Sequence, residues 1–142
     1  MPYICPLCKL QPLSHSLTQL SEKNGIIYYY TCPSQAILYY DVEGILNHYD
    51  GVLSEIPKDK KWIWIVDSVG FNLTHALQIN VAVEIAKLIT NKFSTNLKKV
   101  IVINPTFYIT MTYNVVMPFL NDTIKNIIEI NYEKTTSEEV ML

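Results

Sequence analysis

An α/β fold, built as a single mixed and mostly parallel sheet with crossover helices, is what this 142-residue sequence predicts. Three observations carry that expectation. WIWIV and VIVIN are short runs of apolar, β-branched or aromatic residues, the composition of strands buried on both faces. Around them lie stretches whose apolar residues recur every three or four positions, the period of an amphipathic helix. The alternation of the two patterns from residue 36 onward describes βαβ units, whose parallel strands are joined by right-handed crossovers.

Residues 1–24, rich in Pro, Ser, Leu and Gln and carrying two cysteines, stand apart as an N-terminal arm. From Gly25, IIYYYT and AILYY are two β-rich runs parted by the Pro-containing CPSQ, the pattern of adjacent strands. Asp41 is placed to cap a helix with Ile45, Leu46, Tyr49 and Leu53 on one stripe, ended by Pro57. The polar KDKK leads into the strand WIWIV, which stops at Asp67. Residues 74–93 form the clearest helix, with Ala82, Ile85, Ala86, Ile89 and Phe93 toward one side. VIVIN, residues 100–104, is the next strand, closed by Pro105, which cannot donate to a ladder. A helix over residues 110–120 contains Pro118, Asn121 and Asp122 can cap a further turn, and IIEINY is the last strand. The α/β domain thus spans residues 25–134, and residues 135–142 read as a frayed polar tail.

Composition narrows the function classes. With 49% hydrophobic and 17% charged residues and a formal net charge of -2, the chain is an ordinary globular domain large enough to fold without staples. Eleven Lys and Arg against 13 Asp and Glu leave no basic excess for nucleic acid. No apolar run reaches the roughly 18 residues of a transmembrane span. MPYICPLCKLQPL lacks the cationic and apolar blocks of a secretory signal, so an intracellular, cytoplasmic location is expected.

Enzyme signatures are absent. Four glycines write no phosphate loop or dinucleotide fingerprint, and there is no G-x-S-x-G elbow. Asp67 sits at a strand exit three residues before Gly70, a place where a carboxylate more often secures a turn than performs catalysis. His75, beside a helix start, reads as a cap, and without a nucleophile or base pair the chain is not expected to be an enzyme. The three cysteines are free thiols or metal ligands in a reducing compartment. Cys5-Pro-Leu-Cys8 has knuckle spacing for a structural zinc ion, with Cys32 as third ligand. Gln35 stands where a second knuckle would have cysteine, so His15, or else His48, would complete the site, His15 being favoured. The other reading is that the cysteines are small buried apolar groups.

From Trp62 onward the chain reads, in order, Asp67-Ser68-Val69-Gly70, a long helix, a hydrophobic strand ending in Asn104, Pro118-Phe119-Leu120, and Thr123-Ile124-Lys125-Asn126-Ile127. In order and spacing these motifs resemble the CRAL-TRIO, or Sec14-like, lipid-binding domain family. The resemblance implies a mixed sheet flooring an apolar cavity, closed by a mobile helix over residues 113–120, that binds a lipid or other small hydrophobic molecule without altering it. Tyr113, Val116, Phe119 and Leu120 are the gate and cavity residues it implies. Thr95 and Asn126 stand where phosphatidylinositol-binding members carry an acid and a base, which implies little preference for phosphoinositides. The rival reading is a collapsed core and a protein-interaction module, for a protein partner or a homodimer, using the clustered tyrosines Tyr28, Tyr29, Tyr30, Tyr39 and Tyr40.

Overall fold

The computed structural model describes residues 5–11 and 14–141; residues 1–4, 12 and 13 of the expected arm and Leu142 of the expected tail lie outside them. After a short helix α1 (Pro6–Leu10), the chain enters a hairpin fixed by Asn24-Gly25. Both residues hold positive φ, 55° and 78°, the backbone of a two-residue type I′ turn that Asn and Gly tolerate. The turn folds β1 (Thr18–Lys23) antiparallel onto β2 (Ile26–Thr31), with Lys23 facing Ile26. Residues 18–23 of the expected arm are therefore part of the sheet. AILYY is not a strand, contrary to the sequence-based expectation, and runs as turns after a 3-10 turn at Pro33–Gln35. Its supposed partner β2 already has β1 on one edge and β3 (Lys61–Asp67) on the other, so no edge remains for it.

The sheet continues in parallel through β4 (Leu97–Ile103) to β5 (Ile128–Asn131), and its spatial order, β1-β2-β3-β4-β5, is the order of the sequence. Crossovers of one hand that always step in one direction deliver every connecting helix to the same face. That face receives α2 (Val42–Leu53), α3 (Leu73–Ala76), α4 (Ile79–Leu88), α5 (Phe107–Val116) and α6 (Asp122–Lys125). Strand alternation then sorts the side chains. Ile27, Tyr29, Trp62 and Val100 meet Ile45, Tyr49 and Leu53 of α2 and Val81 of α4 in the main core, while Ile63, Ile65 and Ile103 point to the back. The back is closed by the last helix, α7 (Ser137–Val140), whose Val140, with Met141, packs on those three isoleucines. The tail is thus docked and not frayed, because two apolar residues within an otherwise polar stretch have an apolar face to cover.

Local chemistry sets the helix ends. Asp41 Oδ1 accepts from Gly44 N–H at the start of α2, as its position predicted. The long helix expected over residues 74–93 is divided. Asn72 and His75 form a reciprocal capping box around α3, Gln78 leaves helical geometry (φ -84°, ψ 58°), and α4 ends in a π-helical turn at Ile89–Phe93. His75 is indeed a cap: its Nδ1 accepts from Asn72 N–H at 3.1 Å. Thr106 caps α5 through Ile109 N–H, so that the helix begins at Phe107, three residues before the expected start, and Pro118 falls in a 3-10 turn that ends it. Asn121 caps α6 as expected.

The ends of the central strands are tied by Asp67. Its Oδ2 accepts from Tyr30 Oη–H at 2.6 Å, and its Oδ1 accepts from Val69 N–H and Asn104 Nδ2–H, both at 3.1 Å. Asn104, in the left-handed region at φ 50°, also exchanges two bonds with the Thr135 backbone, so one node joins β2, β3, β4 and the segment before α7. Burial first, and then the bond to Asp67, holds the Tyr30 hydroxyl far above the ordinary phenol range, so it stays a donor. Beside the node, Ser68 is fully buried and its Oγ has no partner among the described residues. Ser68→Ala removes a desolvated hydroxyl at almost no loss of packing, and is expected to raise stability by about 1 kcal/mol in denaturant titration.

Candidate functional site

The helices do not close fully onto the sheet. Between them lies an apolar cavity of ≈ 160 Å³. Trp64 and Val66 of β3, Val100 and Val102 of β4, and Ile128 and Ile130 of β5 make its floor, all from the alternate positions that face the helical layer. Ala82, Ile85, Ala86 and Ile89 form one wall; Ile109, Thr110, Tyr113 and Val116 of α5 form the wall opposite, and Leu120 and Ile124 close the end. Among the described residues no charged side chain lines it. Its hydroxyls are internally satisfied at one end, where Trp64 Nε1–H donates to Thr31 Oγ1 (2.8 Å), Thr31 Oγ1 bonds Tyr49 Oη (3.1 Å), and Tyr49 Oη–H donates to Ser16 O (3.2 Å). Burial pushes the phenols of Tyr39 and Tyr49 well up, so both are neutral and the lining carries no charge at physiological pH.

Of the four gate and cavity residues named from the sequence, the structure brings Tyr113, Val116 and Leu120 to the cavity. Phe119 points elsewhere: it is 39% exposed, with Lys87 Nζ 5.1 Å from its ring centroid. The reason is the 3-10 turn at Met117–Phe119, which changes the angular step between neighbours and turns Phe119 away from the stripe that a continuous α-helix would extend. The clustered tyrosines are dispersed, those of β2 by strand alternation. Tyr29 is in the core, Tyr28 packs on the back of the sheet, Tyr30 is held by Asp67, Tyr39 lines the cavity, and Tyr40 is exposed.

A second constellation lies beside the middle of α2. Cys5, Cys8, His15 and His48 offer ligand atoms that all fall within 4.8 Å of one another, and these four could hold a metal ion. Pro6 at the first helical position starts α1 directly after Cys5, which sets the two thiols three residues apart on one side of a helical turn. Cys5 Sγ lies 3.4 Å and Cys8 Sγ 3.9 Å from His15 Nδ1, and Cys8 Sγ lies 3.8 Å from His48 Nδ1. Burial above all raises the Cys8 thiol and lowers the His48 imidazole from their ordinary values. Cys32, named from the sequence as a ligand, is not in this group; its thiol faces Ser34 Oγ (3.4 Å) and the Val69 carbonyl (3.9 Å). His48, which the sequence offered only as a substitute for His15, is present together with it.

Comparison with known proteins bears on the cavity. The structure is similar to the crystal structure of Sfh5, with a TM-score of 0.70 and 12% sequence identity over 86% of this chain. At that identity the likeness is one of fold, and this chain spans 49% of the Sfh5 chain. No curated protein matches the sequence. The CRAL/TRIO domain matches residues 6–141, so nearly all of the chain is accounted for, and the protein belongs to the CRAL/TRIO domain family.

Proposed function

We propose that this protein binds a lipid or similar small hydrophobic molecule in the cavity between its sheet and α4–α5, and does so without catalysis. The observation that carries the reading is the uncharged, apolar lining, in which the polar groups at one end already bond one another and none is poised as nucleophile or base. The volume supports a ring or a short run of methylenes, since an apolar protein cavity of about 150 Å³ takes up benzene. A longer chain requires a wall to move.

The wall suited to move is α5. None of its ten residues is buried, because its inner face borders the cavity and not a packed core. An element with so little tertiary packing opens at low cost. Its outer face carries Phe107, Met111 and Val115, with Phe119 one turn beyond, at intervals of four and all exposed. The helix is therefore apolar on both sides, which suits exchange of an apolar ligand with an apolar surface. No helix among the described residues is long and apolar enough to cross a membrane, so contact with a bilayer would be interfacial.

The test is uptake of a fluorescent fatty acyl probe by the purified protein, with native mass spectrometry of the species formed. Saturable 1:1 uptake is expected, and phosphatidylinositol should compete no better than phosphatidylcholine. Thr95 is exposed and Asn126 ends α6, and neither neutral side chain replaces a charge-assisted contact to a headgroup. Absence of uptake at any concentration below probe aggregation would refute the binding function; marked selectivity for phosphatidylinositol would refute the headgroup argument alone.

A further inference from the structure

We propose that Cys5, Cys8, His15 and His48 form a structural zinc site that clips the N-terminal segment onto α2. Three sulfur–nitrogen separations among the ligand atoms approach those of a tetrahedron around zinc. Zn–S bonds of about 2.3 Å and Zn–N bonds of about 2.0–2.1 Å at tetrahedral angles separate a sulfur from a nitrogen by roughly 3.5 Å. The three sulfur–nitrogen separations given above, 3.4, 3.8 and 3.9 Å, lie close to that value. A Cys2His2 donor set selects zinc among common divalent ions, and four protein ligands leave no position for water or substrate.

The outer contacts point the imidazoles the right way. His48 Nε2 lies 3.0 Å from the Leu17 carbonyl, which can only accept, so Nε2 carries the proton and the Nδ1 lone pair faces Cys8. His15 Nε2 lies 3.3 Å from Asp41 Oδ2, so its Nδ1 faces both sulfurs in the same way. A carboxylate on one ligand and a backbone carbonyl on the other is the arrangement that fixes tautomer and ring orientation at metal-bound histidines. Space for the Asp41–His15 pair is provided by Gly44, since a Cβ there would overlap the Asp41 carboxylate and stand 2.8 Å from His15 Nε2. Glycine inside a helix costs roughly 1 kcal/mol relative to alanine, and here that cost leaves the pair intact.

The clip has structural purpose. His15 and His48 immediately precede Ser16 and Tyr49, the two cavity-lining residues joined by the 3.2 Å hydrogen bond. The ion would thus lock the two segments that hold one end of the cavity together. The inference goes beyond ligand binding and is read without any ligand.

The experiment loads the full chain with Zn²⁺ under reducing conditions, desalts it, and counts metal by elemental analysis; Co²⁺ loading gives the geometry by absorption. One zinc per chain is expected in the wild type and in Cys32→Ser, and none in Cys8→Ser. Asp41→Asn should weaken zinc binding about 10–100-fold, the usual loss at an outer partner of a histidine ligand. Chelation should speed trypsin cleavage after Lys9, in the exposed part of the clipped segment. If Cys8→Ser fails to fold, the wild-type cobalt spectrum decides, with intense tetrahedral bands and thiolate charge transfer supporting the site. Retention of no metal, an octahedral cobalt spectrum, or loss of zinc in Cys32→Ser would overturn it.

Discussion

Ala86→Phe is expected to abolish uptake of the acyl probe while leaving the protein folded. Ala86 is 7% exposed on α4 and its methyl group already borders the cavity. The substitution adds a phenyl ring, the group that an apolar space of about 150 Å³ accommodates, to a cavity of ≈ 160 Å³. Ligand and side chain would then compete for the same volume, and the side chain is tethered. Because the new ring buries apolar surface in a pre-existing void, stability should stay within about 1 kcal/mol of wild type, without the overpacking penalty of a filled core. Phe119→Asp is the control. Its ring lies outside the cavity near Lys87, so binding should persist. Unchanged affinity in a well-folded Ala86→Phe protein would place the ligand somewhere other than this cavity.

Asp67→Ala is expected to produce the largest loss of stability of any exchange in the sheet's polar groups, about 4 kcal/mol. The carboxylate receives three donors, and its removal leaves the Tyr30 hydroxyl, Val69 N–H and Asn104 amide short of a partner at a buried position. For a domain of this size the melting temperature should fall by about 10–15 °C, measurable by calorimetry. Asp67→Asn keeps one acceptor oxygen and should lose roughly half as much. A fall of less than about 3 °C for the alanine variant would show that water satisfies the node without the carboxylate.

The central sheet was legible because β3 and β4 are buried on both faces, and continuous β-branched or aromatic runs have few other uses. The first hairpin was missed, residues 18–24 being assigned to the arm, although the sequence carries a signal for it. Asn24-Gly25 flanked by strand-length segments marks a two-residue turn more strongly than the Tyr-rich AILYY marks a strand. Residue composition favoured AILYY, and edge availability excluded it, which only the assembled sheet reveals. The family resemblance named Tyr113, Val116, Phe119 and Leu120 together; the structure brings three of them to the cavity and turns Phe119 outward, since a 3-10 turn rotates side chains differently from the helix it ends. Whether α5 covers a void or a filled core depends on a few ångströms of separation between layers, to which apolar periodicity is blind. In the Cys/His cluster, Cys5, Cys8 and His15 could be grouped by local spacing. His48 is thirty-three residues further on, and its inclusion depends on how α2 lies against residues 14–17.

Because each strand pairs only with its neighbours in the sequence, the sheet has a consequence for how the chain reaches its fold during synthesis. The hairpin is available first, and every later strand can add to an edge already standing, with no need to insert between two strands that have met. Each parallel addition must close a loop that holds a crossover helix, a slower step than hairpin closure, but only one edge of the sheet grows at a time. The cost is deferred to the end. The isoleucines on the back of β3 and β4 wait for Val140 and Met141, which follow every strand of the sheet in the chain, and until those two arrive the face lacks the cover they give it.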